Sequence, residues 1–237
     1  MIRTIIWFAY FWLILIVYMP FLWFAQRIEN VDERAAYADR KARYWAEHLL
    51  ALAGAHVTVT GSEKIPENGA VVYVANHQSN FDIPLMIAFT PKPKGFIAKV
   101  EILKMPMIRS WMQHMRCVFI DRDNIRQQVK AISEGVATLK SGHSMIIFPE
   151  GTRSKDGTIG EFKAGSLKLA TKSGATIVPV AIHNSIGLMQ KGSFIIHPSE
   201  IKMIICDPIE ITAEMNKDTH GLAESIRTMI EKEIQNI

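Results

Sequence analysis

From Gly54 onward, short apolar runs alternate with segments of helical period. That alternation restricts the chain to an α/β domain: a mixed, largely parallel sheet flanked by helices. The runs Val57 to Val59, Val71 to Ala75, Phe96 to Ala98, Cys117 to Ile120, Met145 to Phe148, Ile177 to Ile182 and Ile201 to Ile205 read as strands. Between two of them, Ile125, Val129, Ile132, Val136 and Leu139 recur in steps of four and three, and Ser141-Gly142 follows as a stop signal. This predicts an amphipathic helix. Further helices are expected over Phe162 to Lys172 and through Leu222, Ile226, Met229, Ile230 and Ile234. At 237 residues the chain is one full-sized domain plus an attachment.

The attachment comes first. Ile5 to Ala25 is apolar, aromatic and uncharged; about twenty such residues span roughly 30 Å as a helix, the thickness of a bilayer's hydrocarbon core. Its end, Leu22-Trp23-Phe24-Ala25-Gln26, lacks the small residues of a cleavage point, so a retained anchor is expected. Pro20 leaves a bent, half-inserted helix open beside a spanning one. Val31 to Leu52 predicts an amphipathic helix whose Arg34, Arg40, Lys41 and Arg43 face lipid headgroups or solvent. The expected organisation is a membrane module over residues 1–53 and a catalytic domain over residues 54–237.

The net charge of +4 and pI of about 9.0 suit an anionic surface or a phosphate-bearing substrate. Lys and Arg are spread along the chain rather than clustered, so nucleic acid is not indicated. Cys117 and Cys206, each inside an apolar run, suggest neither a disulfide framework nor a metal site, and a reducing compartment is the easier reading.

In open α/β sheets the reactive groups collect beyond the carboxyl ends of the strands. Three runs end unusually: Val71 to Ala75 leads into Asn76-His77-Gln78-Ser79-Asn80-Phe81-Asp82, Cys117 to Ile120 into Asp121-Arg122, and Met145 to Phe148 into Pro149-Glu150-Gly151-Thr152-Arg153-Ser154. They supply a base, an orienting carboxylate and two guanidinium groups, enough to deprotonate a hydroxyl beside a bound phosphate. Five residues along a regular helix, His77 and Asp82 would lie about 140° apart, so they meet only across a turn. Ser79-x-x-Asp82 also imitates a capping box, in which Asp82 merely closes a helix turn. Pro84 favours a helix that starts near Asp82, with His77 on the loop before it. Asp82 then fixes the imidazole tautomer. Gly151 allows close backbone approach to a ligand, whereas Arg122 also fits a routine ion pair with Asp121 or Asp123. Lys163 and Lys168 are further cations near the site.

The segment Asn76 to Asp82 resembles the His-x-x-x-x-Asp signature of the glycerolipid acyltransferases, which act on glycerol 3-phosphate and 1-acylglycerol 3-phosphate. Lys99-Val100-Glu101-Ile102 with Pro106, Phe119 to Arg122, Phe148 to Ser154 and Val178-Pro179-Val180 resemble the family's remaining blocks, in the family's order. The length and single apolar anchor are most similar to bacterial members that acylate 1-acylglycerol 3-phosphate on the cytoplasmic face of the inner membrane. One departure is Arg116, where the second block usually opens with Gly; it puts a side chain in a place normally bare and bears on the acceptor pocket.

The resemblance implies that His77, held by Asp82, removes the proton from the acceptor's sn-2 hydroxyl as it attacks a thioester carbonyl. It implies that Arg122, and Arg153 supported by Glu150, Gly151 and Thr152, bind the acceptor phosphate, with Lys99 a further candidate. Acyl-CoA or acyl carrier protein is the donor, membrane lipid the surroundings, and neither metal nor redox cofactor is suggested. A lipase or thioesterase would need a Gly-x-Ser-x-Gly elbow, and Ser166 in Ala164-Gly165-Ser166-Leu167-Lys168 does not provide one. A membrane scaffold would explain the anchor and the charge without His77.

Overall fold

The computed structural model describes residues 1–237. Its seven strands are β1 (Ala55–Thr60), β2 (Val71–Ala75), β3 (Lys94–Lys99), β4 (Val118–Ile120), β5 (Ser144–Ile147), β6 (Thr176–His183) and β7 (Ser199–Ile205). They form one sheet in the order β1-β7-β6-β2-β5-β3-β4. Every neighbouring pair is parallel except β6 and β7. Each apolar run read from the sequence is therefore a strand, with ends that coincide or differ by at most two residues.

β2 lies between β5 and β6, and all five of its residues are buried. Val71, Tyr73 and Ala75 point into one core, Val72 and Val74 into the other. The first core is closed by α1 (Ile2–Val17), α3 (Val31–Ala53), α4 (Asp82–Phe89) and α5 (Pro106–His114); the second by α6 (Ile125–Lys140), α7 (Ala164–Ser173) and α8 (Thr219–Gln235). Burial of one such Val or Leu side chain contributes about 1.5–3 kcal/mol, so the central strand anchors both layers. Asn30 caps α3 by accepting hydrogen bonds from the Asp32 and Glu33 amides, and Gly54 ends it in the left-handed region at φ +75°. Asn124 caps α6 in the same way. α5 is the helix with no expectation in the sequence reading.

The apolar N-terminal segment is two helices rather than one: α1 and α2 (Met19–Ala25) meet at a bend of 42°. Pro20 lies in the first turn of α2, where its missing N–H costs nothing, so the chain restarts a helix there. α1, with 16 residues, is about 24 Å long, and no single helix is long and apolar enough to cross a membrane. One side of α1 packs on α3, with Trp7 Nε1 donating to Leu49 O at 2.8 Å and Arg3 to Ala53 O at 3.1 Å. Ile5, Ile6, Trp12, Leu13, Ile16, Trp23 and Phe24 stay exposed.

Arg116 corrects the expectation attached to it. It precedes β4, whereas Arg122 follows that strand, so it sits at the sheet end away from His77. Its φ of +58° explains why glycine suits this place. The residue is held there by hydrogen bonds from its guanidinium to Asp32 Oδ1 (3.0 Å) and Ser141 Oγ (2.7 Å). A Cβ on the neighbouring Gly95 would overlap the Arg116 carbonyl. The departure therefore bears on the join of β3 to β4 and leaves the acceptor pocket alone.

α3 is tied to α4 by buried charge. Lys94 is fully buried; its Nζ lies 3.0 Å from Asp39 Oδ1 and donates to Thr90 O at 2.7 Å. Burial, partly offset by Asp39, pushes Lys94 down to about 8. Arg43, one turn beyond Asp39, donates to the carbonyls of Ala88 and Thr90 at the end of α4. Asp39→Ala would leave the Lys94 cation unpaired in the core and should cost about 3–5 kcal/mol. Thermal unfolding followed by circular dichroism should show a midpoint about 6–20 °C lower. The double variant Asp39→Leu/Lys94→Met should recover most of the loss, because the cost lies in the unpaired charge.

Candidate active site

β2 ends at Ala75, and the loop after it carries His77 to the mouth of the sheet. Asn76 fixes the start of that loop: its amide donates to Ile182 O (2.9 Å) and accepts from Ile182 N–H (2.8 Å), joining the ends of β2 and β6. The loop closes across a turn, and Asp82 Oδ2 accepts from His77 Nδ1 at 2.7 Å, from the Gln78 amide at 2.7 Å and from the Ser79 amide at 2.8 Å. The bond from the Ser79 amide has the form of half a capping box, but Ser79 does not cap the helix, whose first residue is Asp82 itself, and the His77 bond orients the ring. α4 starts at Asp82, with Pro84 inside its first turn.

The proton of this pair lies on Nδ1, facing a carboxylate that can only accept, and Nε2 makes no hydrogen bond within the chain. The ring stacks on Phe148 with centroids 4.2 Å apart and planes 17° apart. Asp82 is fully buried, while the His77 side chain keeps 15% of its surface open. The arrangement is that of an imidazole oriented by a carboxylate sealed from water, with Nε2 left able to accept a proton.

Because β5 is the parallel neighbour of β2, its following loop lies against the His77 loop. Glu150 Oε1 accepts from the His77 amide at 2.7 Å, and the Ser154 amide donates to His77 O at 2.8 Å. Glu150 Oε2 accepts from the Gly160 amide at 3.0 Å. Both Glu150 oxygens thus accept from backbone amides, and the residue braces the main chain at His77 and Gly160. Burial pushes Glu150 up and the two backbone donors pull it back. Gly151, at φ +71°, lies beneath two cations: a Cβ there would stand 3.2 Å from Lys163 Nζ and 3.4 Å from Arg122 Nη1.

A cavity of about 220 Å³ opens between Lys99, Glu101, Arg122, Asp123, Gly151 and Thr152. Arg122 forms no ion pair with Asp121 or Asp123; burial lowers it, against the pull of Glu101. Lys99 is exposed, 3.7 Å from Glu101. Arg153 does not line this cavity, and no carboxylate pairs with its guanidinium. Lys168 is an exposed residue of α7 that the structure does not bring to the cavity.

Residues 56–183 match a family model described as Acyltransferase. The chain belongs to the acyltransferase family. A 1-acyl-sn-glycerol-3-phosphate acyltransferase of Borreliella burgdorferi is 31% identical over 79% of this chain and 75% of its own length. A probable enzyme of that name from Mycoplasma pneumoniae is 38% identical over 60% of this chain and 54% of its own. Among solved structures, the 1-acyl-sn-glycerophosphate acyltransferase PlsC of Thermotoga maritima superposes with a TM-score of 0.83 at 27% identity, over 100% of this chain and 97% of that one.

Two residues at this acyltransferase site carry contacts that the sequence does not announce. Lys191 Nζ donates to Thr152 Oγ1 and Arg153 O, both at 2.9 Å, and Ser185 Oγ donates to Asp82 Oδ1. Ser185 was accessible to the rule that polar residues directly after strands be inspected, since Ile177 to Ile182 runs into His183-Asn184-Ser185. Lys191 follows no strand and had no such signal.

Glu150→Gln should lower kcat for acyl transfer by about 10- to 100-fold, because an amide can accept from only one of the two backbone donors and turns an N–H against the other. Initial-rate kinetics should find the KM for each substrate nearly unchanged.

Proposed function

We propose that this protein transfers a fatty acyl group from an acyl thioester to the sn-2 hydroxyl of 1-acylglycerol 3-phosphate, giving phosphatidic acid for phospholipid synthesis. The observation that carries the reading is the His77–Asp82 pair at 2.7 Å, beside a cavity lined by Arg122, which forms no ion pair, and by Lys99.

His77 Nε2 takes the proton of the acceptor hydroxyl as that oxygen attacks the thioester carbonyl. The C–O bond forms, negative charge collects on the former carbonyl oxygen, and its collapse breaks the C–S bond. The proton held on Nε2 leaves with the thiolate, so His77 ends as it began and no acyl-enzyme is formed. Asp82 keeps Nδ1 protonated throughout and stabilises the imidazolium that forms. Arg122, Arg153 and Lys99 take the acceptor phosphate, Arg by its paired donors and Lys as a point charge. Gly151 leaves room beneath the cations, Thr152 is held by Lys191, and Glu150 acts through the His77 backbone.

Residues 1–53 form the membrane module and 54–237 the acyl-transfer domain. The bend between α1 and α2 and the exposed Trp12, Trp23 and Phe24 support a module half-inserted in one leaflet instead of crossing it. Lys41 lies 3.9 Å over the Phe21 ring and Arg27 3.0 Å over Trp23, so cations border that apolar face as they do at a headgroup layer. The membrane is a bacterial inner membrane and the face its cytoplasmic one, where acyl-CoA or acyl carrier protein delivers the donor.

Detergent-purified protein should transfer a long-chain acyl group to lysophosphatidic acid in preference to glycerol 3-phosphate or lysophosphatidylcholine offered beside it. His77→Ala should lower the rate by about 10²–10⁴-fold. Preference for another acceptor would move the substrate and keep the chemistry; an unchanged rate in His77→Ala would remove the base. Arg153→Ala should raise the KM of the acceptor much more than that of the donor, and equal effects on both would sink its phosphate assignment.

A further inference from the structure

The two oxygens of the buried Asp82 carboxylate are served unequally. Oδ2 accepts the three bonds from His77, Gln78 and Ser79, whereas Oδ1 accepts one, from Ser185 Oγ. Ser185 belongs to none of the motif blocks. It opens the turn Ser185–Gly187 after β6, is completely buried, and has one other acceptor in reach, Gln78 Oε1 at 3.5 Å.

The turn that presents it is held from behind. Asn184 takes the left-handed conformation at φ +64°. Its Nδ2 donates to Ser199 Oγ (3.1 Å) and Glu200 O (2.9 Å), and Ser199 Oγ donates back to Asn184 O (3.1 Å). With Asn76 locking Ile182, the hydroxyl approaches Asp82 from a fixed direction. Rotation about the Cβ–Cγ bond carries both carboxylate oxygens off their partners, so a donor on Oδ1 adds to the restraint that keeps Oδ2 on His77 Nδ1.

We propose that Ser185 is a positioning residue for acyl transfer, the outer member of a Ser185–Asp82–His77 chain that holds Oδ2 on His77 Nδ1 and so leaves Nε2 free for the acceptor's proton. Ser185 forms no bond to substrate: its proton stays in the hydrogen bond to Asp82, and full burial keeps it from any acyl donor. The inference rests on the acyl-transfer reading of the site.

The test is initial-rate kinetics with lysophosphatidic acid and a long-chain acyl-CoA on wild-type protein and its variants, each checked for a thermal unfolding transition. Ser185→Ala should lower kcat about 10- to 100-fold with both KM values within about two-fold. Ser185→Thr, which keeps the hydroxyl, should recover most of the rate, and Ser185→Cys, a weaker donor of similar size, should fall between wild type and Ser185→Ala. In an Asp82→Ala background, where no carboxylate remains to be held, Ser185→Ala should cost nothing further. A wild-type kcat in Ser185→Ala, a KM rise that accounts for the loss, or an additive loss in the Asp82→Ala background would each overturn the proposal. If Ser185→Ala does not fold, Ser185→Cys decides: an intermediate kcat supports the proposal and a wild-type kcat overturns it. Wild-type protein that transfers no acyl group would instead overturn the reading of the whole site, and this inference with it.

Discussion

A negative charge buried to zero exposure has to be answered, and in this protein the charge is on Asp82. Each of its donors comes from a different commitment of the chain. The Gln78 and Ser79 amides require the loop after β2 to fold back over the first turn of α4, the imidazole requires that loop to carry His77 just past the end of β2, and the hydroxyl requires β6 to run beside β2. Loss of any one would strand part of a carboxylate in a low-dielectric interior, where solvent cannot replace it. The catalytic geometry and the local folding requirement are thus the same set of contacts.

Glu150 extends the logic to the main chain. It takes the His77 amide while the Ser154 amide takes the His77 carbonyl, so the residue bearing the base is gripped at both ends of its own peptide unit. The two buried carboxylates therefore divide the work: Asp82 orients the ring and Glu150 the backbone. Cations are kept one step further out, over Gly151 and around the 220 Å³ cavity, where the charge of Arg122 and Lys99 is not consumed by internal ion pairs with Asp82 or Glu150. Backbone amides, with the His77 ring and the Ser185 hydroxyl, satisfy Asp82 and Glu150, so neither carboxylate draws on those cations.

What the sequence made legible follows from how local each feature is. Strands buried on both faces show as continuous apolar runs, so β2, β5 and β6 were visible from composition alone, and α6 showed because its apolar residues keep a helical period. The His77–Asp82 turn was legible because Pro84 limits where a helix can begin. Contacts set by strand order were not. Ser185 lies 103 residues from Asp82, and its role exists only once β6 has taken the place beside β2. Glu150 was expected to serve the acceptor phosphate because its neighbours Gly151 to Arg153 have that character, and only the adjacency of β2 and β5 turns its carboxylate toward His77. Arg116 was noticed as a missing glycine, but which end of the sheet it occupies depends on the direction of β4.

The N-terminal helices are part of this same construction and not a tether added to it. Trp7 donates to Leu49 O on α3, and its ring lies 5.3 Å from that of Phe81, the residue before Asp82. Phe8 meets Phe194 at 6.3 Å, and the Ile196 amide donates to Thr4. The segment after β6 thus runs from α1 back past Lys191 on the Thr152–Arg153 loop and Met189 O on Ser79 to Ser185 on Asp82. α1, whose outer side exposes Ile5, Ile6, Leu13 and Ile16, is thus joined through Trp7 and Phe81 to the turn that carries His77 and Asp82, so the N-terminal helices and the candidate site share one packed core.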